Sequence, residues 1–452
     1  MERQLTQSEI QHALVESDDE NIFVRECDSD DENFAVDSCS DSESNVTEPA
    51  SENDDEQLWS ESDDVPLQEY VSIDTYKGRG VNKQGGVDFR EYWDPIFGNP
   101  IFRTIMGKNR FASLLRFLRF DDKNTRSLRK SKDKLAPIRE LCEYVNQNLK
   151  KFYLPGENLT IDEQLVSFRG RVSFKQYLPC KPDKYGMKIW WICDSKTSYP
   201  LFGIPYLGKE GQNRAENLAY NVVNQLCEPY FRSNRNVTFD NYFMSIDVAK
   251  SLAQNGLTIV GTLRKNKTCI PPNFQPKKTR DIESNVFGFY KNMTLVSYVP
   301  KKNCAVILLS MMHHGKEDVN KNNKSEINLY YNSTKGDVDT LDQMVHEYTV
   351  RRKTNRWPIA FFQNIIDVGI ASLIIWKNIH PDWNSRKKNT LRILFLHEIA
   401  TELVTPHIRR RSTKGLSIYH LAAMQDVAGS NQEATHSSEP AAKRKKRCYI
   451  CP

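Results

Sequence analysis

The chain has 452 residues and a hydrophobic fraction of 39%, which is enough to form two or three domains with buried cores. It shows no signal peptide, and its most apolar stretch, Ile365 to Trp376, contains Asp367 and is short for a bilayer span, so neither a secreted nor a membrane protein is expected. The ten cysteines are scattered except for one C-terminal pair, which argues against a disulfide framework.

The net charge of +5 is distributed unevenly along the chain. Residues 1–64 contain 22 acidic residues and two arginines, which gives −20, whereas the rest carries 61 basic and 36 acidic residues, or +25. A body this basic predicts a polyanionic partner, most simply nucleic acid, with a solvated basic surface as the alternative. Residues 1–68 are rich in Ser, Asp, Glu and Asn, and we predict that they form a disordered acidic N-terminal region.

Apolar residues at helical spacing dominate from about Val71 to Leu154. We interpret residues 69–157 as the first part of a mainly helical domain. Five basic residues are predicted to lie in a loop between its helices: Arg126, Arg129, Lys130, Lys132 and Lys134. They either form an exposed charged loop or contact phosphates.

A strand pattern begins after Pro155 and alternates with helices. Strands are predicted at Leu159–Phe168, Gly186–Cys193, Tyr199–Leu207, Asn236–Phe239 and Leu257–Leu263, with one helix around Leu218–Leu226 and one at Ile246–Gln254. This order matches an α/β core of the ribonuclease H-like type, in which the first and fourth strands are neighbours. Asp162 on the first strand and Asp240 at the end of the fourth are therefore expected to meet.

We interpret residues 158–266 as the first part of this catalytic domain, 267–326 as an insertion and 327–348 as its second part. The insertion contains a predicted strand pair, Leu295–Tyr298 and Ala305–Leu309.

A helix is predicted to begin at Gly336–Asp337, with Asp339 and Asp342 on one face because they are three residues apart. Further helices are predicted at Trp357–Trp376 and Leu391–Leu403, within residues 349–424, the second part of the helical domain. Residues 425–452 form a basic tail that ends in a cysteine pair.

Four aspartates are candidate catalytic residues: Asp162, Asp240, Asp339 and Asp342. Phosphodiester cleavage commonly uses two divalent ions, and magnesium prefers carboxylates, water and phosphate oxygens as ligands. Any one of these aspartates alone is more simply explained by a turn or a salt bridge. Their joint placement in the inferred topology favours a metal site, because a strand interior is a poor position for aspartate.

Seven segments, in this order, resemble the piggyBac transposases, and the resemblance runs from about residue 85 to the C-terminus. The segments are Leu159–Gln164, Phe168–Arg171, Lys181–Gly186, Phe239–Phe243, Thr258–Thr262, Val338–Met344 and Arg352–Pro358.

The resemblance implies that Asp162, Asp240 and Asp339 bind Mg²⁺ (or Mn²⁺) and carry out catalysis, with Asp342 as a fourth required acid. It implies nicking at the 3′ ends of an element, attack of the freed hydroxyl to leave hairpin ends, and joining into TTAA target sites of double-stranded DNA. It also implies that the two helical segments form one dimerisation and DNA-binding domain, and hence a homodimer.

The resemblance also implies five candidate DNA-binding residues: Arg264, Lys267, Lys353, Arg356 and Trp357. The resemblance places Arg264 and Lys267 on flanking or target DNA and Trp357 near the active site. Basic side chains neutralise phosphates, and an indole stacks on an unpaired base. Burial beside Pro358 is the alternative for Trp357.

The cysteine-rich zinc domain of the family is represented only by Cys448 and Cys451, after which the chain stops. We interpret this as a truncation. A structural zinc site needs four ligands, so the pair gives little support to bound Zn²⁺ or to recognition of terminal repeats. A cluster of five basic residues predicts import into the nucleus, with a phosphate-binding tail as the alternative: Lys443, Arg444, Lys445, Lys446 and Arg447.

Three functions are consistent with the sequence. The first is a transposase, and the second is a domesticated nuclear DNA-binding protein that keeps the scaffold without transposition activity. The third is a ribonuclease H-like nuclease unrelated to transposition. The presence of all four acids favours the enzyme over the second, and the extended motifs argue against the third.

Overall fold

A computed structural model describes residues 89–96, 98–179, 181–208, 217–315, 324–385 and 390–428. The predicted acidic region 1–68, the basic cluster 443–447 and the cysteines at 448 and 451 lie outside these residues. The described chain forms two compact units. The larger comprises residues 118–392, and the smaller comprises residues 89–117 and 393–428.

The described part of the larger unit contains one mixed sheet of nine strands. The strands are β1 (Asn158–Ser167), β2 (Gln176–Tyr177), β3 (Tyr185–Asp194), β4 (Pro200–Pro205), β5 (Asn236–Phe239), β6 (Thr258–Thr262), β7 (Asn285–Tyr290), β8 (Met293–Tyr298) and β9 (Val306–Ser310). Nearly every residue of β1, β3 and β5 is buried, as expected for strands covered on both faces. The predicted mixed α/β architecture is thereby confirmed.

The sheet order is β2-β3-β1-β5-β6-β9-β8-β7, and β4 also pairs with β3. β1 is antiparallel to β3 and parallel to β5, and β5 is parallel to β6. The predicted pairing of the first and fourth strands is therefore confirmed. Ile161 lies opposite Phe239 in the β1–β5 register, so Asp162 on β1 and Asp240, the first residue after β5, follow at the same level.

The predicted insertion extends the main sheet. β9 pairs antiparallel with β6, β8 with β9 and β7 with β8. Val260, Val296 and Leu308 from β6, β8 and β9 pack together with Ile327 and Tyr331 of the following helix. β7 was not predicted, because its residues are almost all half-buried and lack the alternation of a strand with one buried face.

The helices are α1 (Pro100–Ile105), α2 (Lys108–Phe117), α3 (Arg126–Lys130), α4 (Arg139–Phe152), α5 (Leu218–Cys227), α6 (Ile246–Gln254), α7 (Glu326–Thr334), α8 (Asp337–Glu347), α9 (Trp357–Val368), α10 (Ala371–Ile379), α11 (Leu391–Arg410) and α12 (Ile418–Ala428). α5 packs against β3 and β4, whereas α7 and α8 pack against β1. Ser245 caps α6 by accepting the Val248 N–H at 3.1 Å. α8 begins after Gly336, as predicted.

The prediction of a loop for the basic segment is wrong in part, because Arg126 to Lys130 form the short helix α3. The guanidinium groups of Arg126 and Arg129 both bind Asp121, whose side chain is only 2% exposed. Lys134 donates to the Leu207 carbonyl at 3.0 Å. These three basic side chains therefore stabilise the larger unit, which neither sequence interpretation anticipated.

The apolar stretch Trp357–Ile379 forms α9 and α10, separated at Gly369 and Ile370, where a single helix was predicted. It has 23 residues, its most apolar 18-residue window has a mean hydropathy of 1.8, and it is the one segment among the described residues that is long and apolar enough to cross a membrane. The expectation that the most apolar stretch is too short to span a bilayer is therefore wrong. Its most apolar window is 61% buried within the protein, which is typical of a core helix.

The smaller unit is helical. α12 packs against α1, and Trp93 donates to the Met106 carbonyl at 2.8 Å. α11 continues through Pro406 to Arg410, beyond its predicted end at Leu403. The unit draws on segments from both sides of the sheet region, but the predicted helical segments 69–157 and 349–424 reach further into the chain than it does.

Candidate active site

The central feature of the site is one face of β1. Thr160, Asp162 and Gln164 alternate along the strand and therefore share a face, and they are 0%, 7% and 0% exposed. The Thr160 hydroxyl donates to the Thr334 carbonyl, and the Gln164 amide donates to Asp342 Oδ1 at 3.0 Å. The end of α7 and the body of α8 therefore cover this face, and Asp162 lies between the two contacts.

Asp240 is placed beside Asp162 by the parallel pairing of β5 with β1. Neighbouring strands are about 4.8 Å apart, so Asp240, directly after the carboxyl end of β5, approaches Asp162 in the middle of β1. Asp162 Oδ1 accepts the Glu163 N–H at 2.8 Å, and Asp240 Oδ1 accepts the Tyr242 N–H at 2.9 Å. The predicted meeting of Asp162 and Asp240 is supported by this register.

The first two turns of α8 contribute three further carboxylates. Asp337 accepts from Ser198 Oγ at 2.9 Å and from Thr160 Oγ1 at 3.3 Å. Burial raises the pKa of Asp337 to about 6, although these hydrogen bonds act in the opposite direction. Asp342 binds Gln164, whereas the Asp339 side chain is 63% exposed. Asp337 thus anchors the start of α8, and Asp339 points away from the interior.

Lys181 occupies the acidic site. It lies in the turn between β2 and β3, and its Nζ is 2.9 Å from Asp339 Oδ1. Burial alone would lower the pKa of Lys181, but the charges of Asp339, Asp162 and Glu163 outweigh it, and the pKa is raised. Lys181 is thus a positive charge held among the acids that the sequence singled out.

The acids suit magnesium chemically, because they are hard oxygen ligands on facing elements. Among the described residues, however, no three His, Cys, Asp or Glu side chains lie close enough to hold one ion. Asp339 binds Lys181 instead of converging with Asp162 and Asp240. The donor chemistry therefore fits a divalent ion, but the arrangement of the three carboxylates does not.

Two of the candidate DNA-binding residues follow β6. Arg264 is exposed, Lys267 is half-buried, and the Lys267 N–H donates to the Arg264 carbonyl at 3.2 Å in a turn. The Arg264 guanidinium lies 6.0 Å from the ring of Tyr242, two residues after Asp240. The ends of β5 and β6 thus place a basic turn next to the acidic site.

The other three candidates lie before and at the start of α9. Lys353 is exposed, whereas Arg356 is half-buried and donates to the Leu118 carbonyl. Trp357 is half-buried, and its ring meets Phe174 edge to face with centroids 5.2 Å apart. Phe174 therefore covers part of Trp357, and the residue keeps some exposure to solvent.

A buried lysine beside Tyr242 was not predicted from the sequence. Lys188 on β3 is 5% exposed, and its Nζ lies 4.8, 4.9 and 5.3 Å from the rings of Trp190, Tyr206 and Tyr242. Burial raises the pKa of Tyr242 to about 12. A lysine within the otherwise apolar run Gly186–Cys193 was the available signal.

A second missed feature is an exposed aromatic pair beside Lys181. The rings of Tyr177 on β2 and Tyr185 on β3 are 4.8 Å apart, and the residues are 53% and 46% exposed. Two tyrosines near Lys181, Tyr177 before the Lys181–Gly186 segment and Tyr185 within it, were the available sequence signal.

Comparison with known proteins places the chain among transposases. A family model described as Transposase IS4 matches residues 80–371, more than half of the chain. Human PiggyBac transposable element-derived protein 2 is 22% identical over 304 residues, which cover 62% of this chain and 50% of that protein. Human PiggyBac transposable element-derived protein 3 is 25% identical over 248 residues, which cover 50% of this chain and 41% of that protein. The matches span half or less of these relatives.

The chain is also similar to a solved structure, the cryo-EM structure of a piggyBac transposase synaptic complex with hairpin DNA. The TM-score is 0.75 and the sequence identity 34%, over 85% of this chain and 81% of that chain. The resemblance drawn from the sequence motifs is thereby confirmed. The chain belongs to the IS4/piggyBac family of transposases.

Proposed function

We propose that this protein is a DNA transposase that cuts DNA strands and joins them into TTAA target sites, with Asp162, Asp240 and Asp339 as its catalytic acids. The observation that carries this proposal is the parallel pairing of β1 and β5, which brings Asp162 and Asp240 to one level beneath α8. α8 in turn carries Asp339, and Asp342 supports it through its hydrogen bond with Gln164.

The core of the larger unit is of the ribonuclease H-like type. The order β4-β3-β1-β5-β6, with the first three strands antiparallel and the last three parallel, supports this assignment. In such a sheet, acids at the ends of neighbouring central strands meet a helix acid from outside the sheet. In sites of this kind, the carboxylates hold the metal ions that promote phosphodiester cleavage.

Magnesium or manganese is the proposed cofactor, on the chemistry of the donors. Asp339 has to leave Lys181 before it can join Asp162 and Asp240. Its side chain is mostly exposed and lies in the first turn of α8, so a change of rotamer moves the carboxylate without unfolding the helix.

Double-stranded DNA is the proposed partner, in the form of element ends and TTAA targets. The net charge of +25 on residues 65–452 supports it, as do the exposed Arg264 and Lys353 and the half-buried Lys267. The DNA in the similar piggyBac complex supports it as well.

The protein is further proposed to act in the nucleus as a homodimer. Alanine at all five positions from Lys443 to Arg447 is expected to abolish nuclear accumulation.

The test is strand nicking by the purified full chain. The substrate is a duplex that carries the genomic sequence flanking the coding region together with its TTAA, incubated with Mg²⁺ or Mn²⁺. The wild-type protein is expected to nick the element end, whereas Asp162→Asn, Asp240→Asn and Asp339→Asn are expected to reduce nicking at least about a thousandfold. Asp183→Asn is the matched control, because Asp183 is an exposed acid in the Lys181 turn. Nicking that survives Asp162→Asn would exclude the proposed active site.

The second candidate is a domesticated DNA-binding protein without transposition. The human relatives, which are named as transposable element-derived, favour it. It predicts that wild-type protein and Asp162→Asn bind DNA equally and that neither cuts it.

A further inference from the structure

Lys181 and Asp339 form an ion pair between segments far apart in the sequence, 158 residues from each other. The lysine is the more buried partner, with 13% of its side chain exposed against 63% for the aspartate. Lys184, three residues later in the same turn, is exposed. The turn between β2 and β3 therefore directs one particular lysine into the acidic site and leaves its neighbour in solvent.

We propose that Lys181 is a built-in cation that holds Asp339 in the metal-free protein and competes with the divalent ion for this carboxylate. The inference rests on the proposed function, because it assigns a role to Lys181 only if Asp339 is a metal ligand.

The charges around Lys181 explain why a cation belongs there. Asp162 and Glu163 are 7% and 5% exposed, so water screens their charges poorly. Without a cation, these side chains and Asp339 would repel one another. The ammonium of Lys181 offsets this repulsion through its contact with Asp339 and its proximity to Asp162 and Glu163.

The same contact opposes binding of a divalent ion in two ways. Lys181 occupies Asp339 Oδ1, which has to be released before the carboxylate can coordinate metal. Its positive charge also repels an incoming cation at a few ångströms, where the low exposure of the lysine limits screening. Metal affinity is therefore lower than the carboxylates alone would give, and the metal-free protein keeps Asp339 apart from Asp162.

The experiment measures Mn²⁺ binding to the full chain by isothermal titration calorimetry, with paramagnetic resonance of free Mn²⁺ as a second readout. Lys181→Gln is expected to bind Mn²⁺ about tenfold more tightly than the wild type, because both the competing contact and the like charge are lost. Lys181→Arg keeps the charge and is expected to bind as the wild type does. Lys184→Gln, the matched control, is expected to stay within about twofold, since its charge is in solvent.

Asp162→Asn distinguishes a failure of the proposed role of Lys181 from a failure of the proposed metal site. Equal or weaker Mn²⁺ binding by Lys181→Gln, together with reduced binding by Asp162→Asn, overturns the role of Lys181 and leaves the metal site intact. Binding that Asp162→Asn does not reduce overturns the metal site of the proposed function itself. Circular dichroism checks folding, and if Lys181→Gln does not fold, Lys181→Met replaces it because it retains an unbranched apolar side chain.

Discussion

Gln164 on β1 donates its side-chain amide to Asp342 on α8 at 3.0 Å. The Gln164 carbonyl oxygen accepts from Trp191 Nε1 at 3.0 Å and from Asn364 Nδ2 at 3.2 Å. Gln164 is fully buried, and its bonds connect β1 with β3, α8 and α9. One side chain thus fixes the position of the helix that carries two of the proposed acids.

Gln164→Met is expected to lower the free energy of unfolding by about 2–4 kcal/mol, because methionine fills the space but leaves the buried Trp191 and Asn364 donors and the half-buried Asp342 carboxylate without this partner. Urea denaturation measures the loss. Gln176→Met is the control, since Gln176 is half-buried on β2 and donates only to the adjacent Lys175 carbonyl. A loss below about 1 kcal/mol for Gln164→Met would show that water or rearrangement satisfies the network.

Much of the sheet could be predicted because its signal is local. β5 and α6 begin and end at the predicted residues, and β1 and β3 differ from prediction by one residue at each end. β1 shows an alternating pattern and β3 a mostly apolar run, which are both typical of strands. The β1–β5 pairing followed from the element order, and it was enough to bring Asp162 and Asp240 together.

The remaining features depend on contacts that no local pattern encodes. The pairing of β9 with β6 and the ion pair of Lys181 with Asp339 join distant segments. Pro406 predicts a helix end, yet α11 continues past it because packing of the smaller unit outweighs the local preference. Arg126 and Arg129 were candidate phosphate ligands, but both bind buried Asp121. No local pattern encodes this contact either.

Lys353→Gln is expected to weaken DNA binding equally for all sequences and to reduce the slope of log affinity against log salt by about 1. Lys353 is exposed, so the melting temperature of the Lys353→Gln variant should match that of the wild type. Arg356→Gln should lower the melting temperature as well, because the Arg356 guanidinium donates to the Leu118 carbonyl. Fluorescence anisotropy at several salt concentrations and differential scanning fluorimetry separate the two effects. A stable Arg356→Gln would contradict the structural role.

Lys188→Met removes a buried ammonium that lies near three aromatic rings. Because the rings lose their attraction to this charge, we expect the free energy of unfolding to fall by about 2 kcal/mol. The substitution should also reduce nicking, since Tyr242 packs on Lys188 and its backbone N–H holds Asp240. Chemical denaturation and the nicking assay measure the two effects, with Lys184→Met as the control. Stability equal to that of the control would show that the rings do not depend on the charge.

Asp367 on α9 makes stability depend on pH. It is 6% exposed and accepts hydrogen bonds from Thr349 Oγ1 and from the Val350 N–H. Burial raises its pKa from 3.8 to about 7, although these bonds and the charges of Arg392 and Arg351 lower it. The folded protein therefore holds this proton more tightly than the unfolded chain, so the stabilisation is complete below about pH 4 and is lost as pH rises through about 7.

The pKa difference corresponds to a decrease of roughly 4 kcal/mol in the free energy of unfolding between pH 4 and pH 7. Asp367→Asn removes the titrating group, so the stability of this variant relative to the wild type should rise across that range and level off above it. Urea denaturation of both proteins at half-unit pH steps measures the difference. Because other groups titrate alike in both proteins, parallel pH profiles would mean that the pKa of Asp367 is the same in the folded and unfolded states.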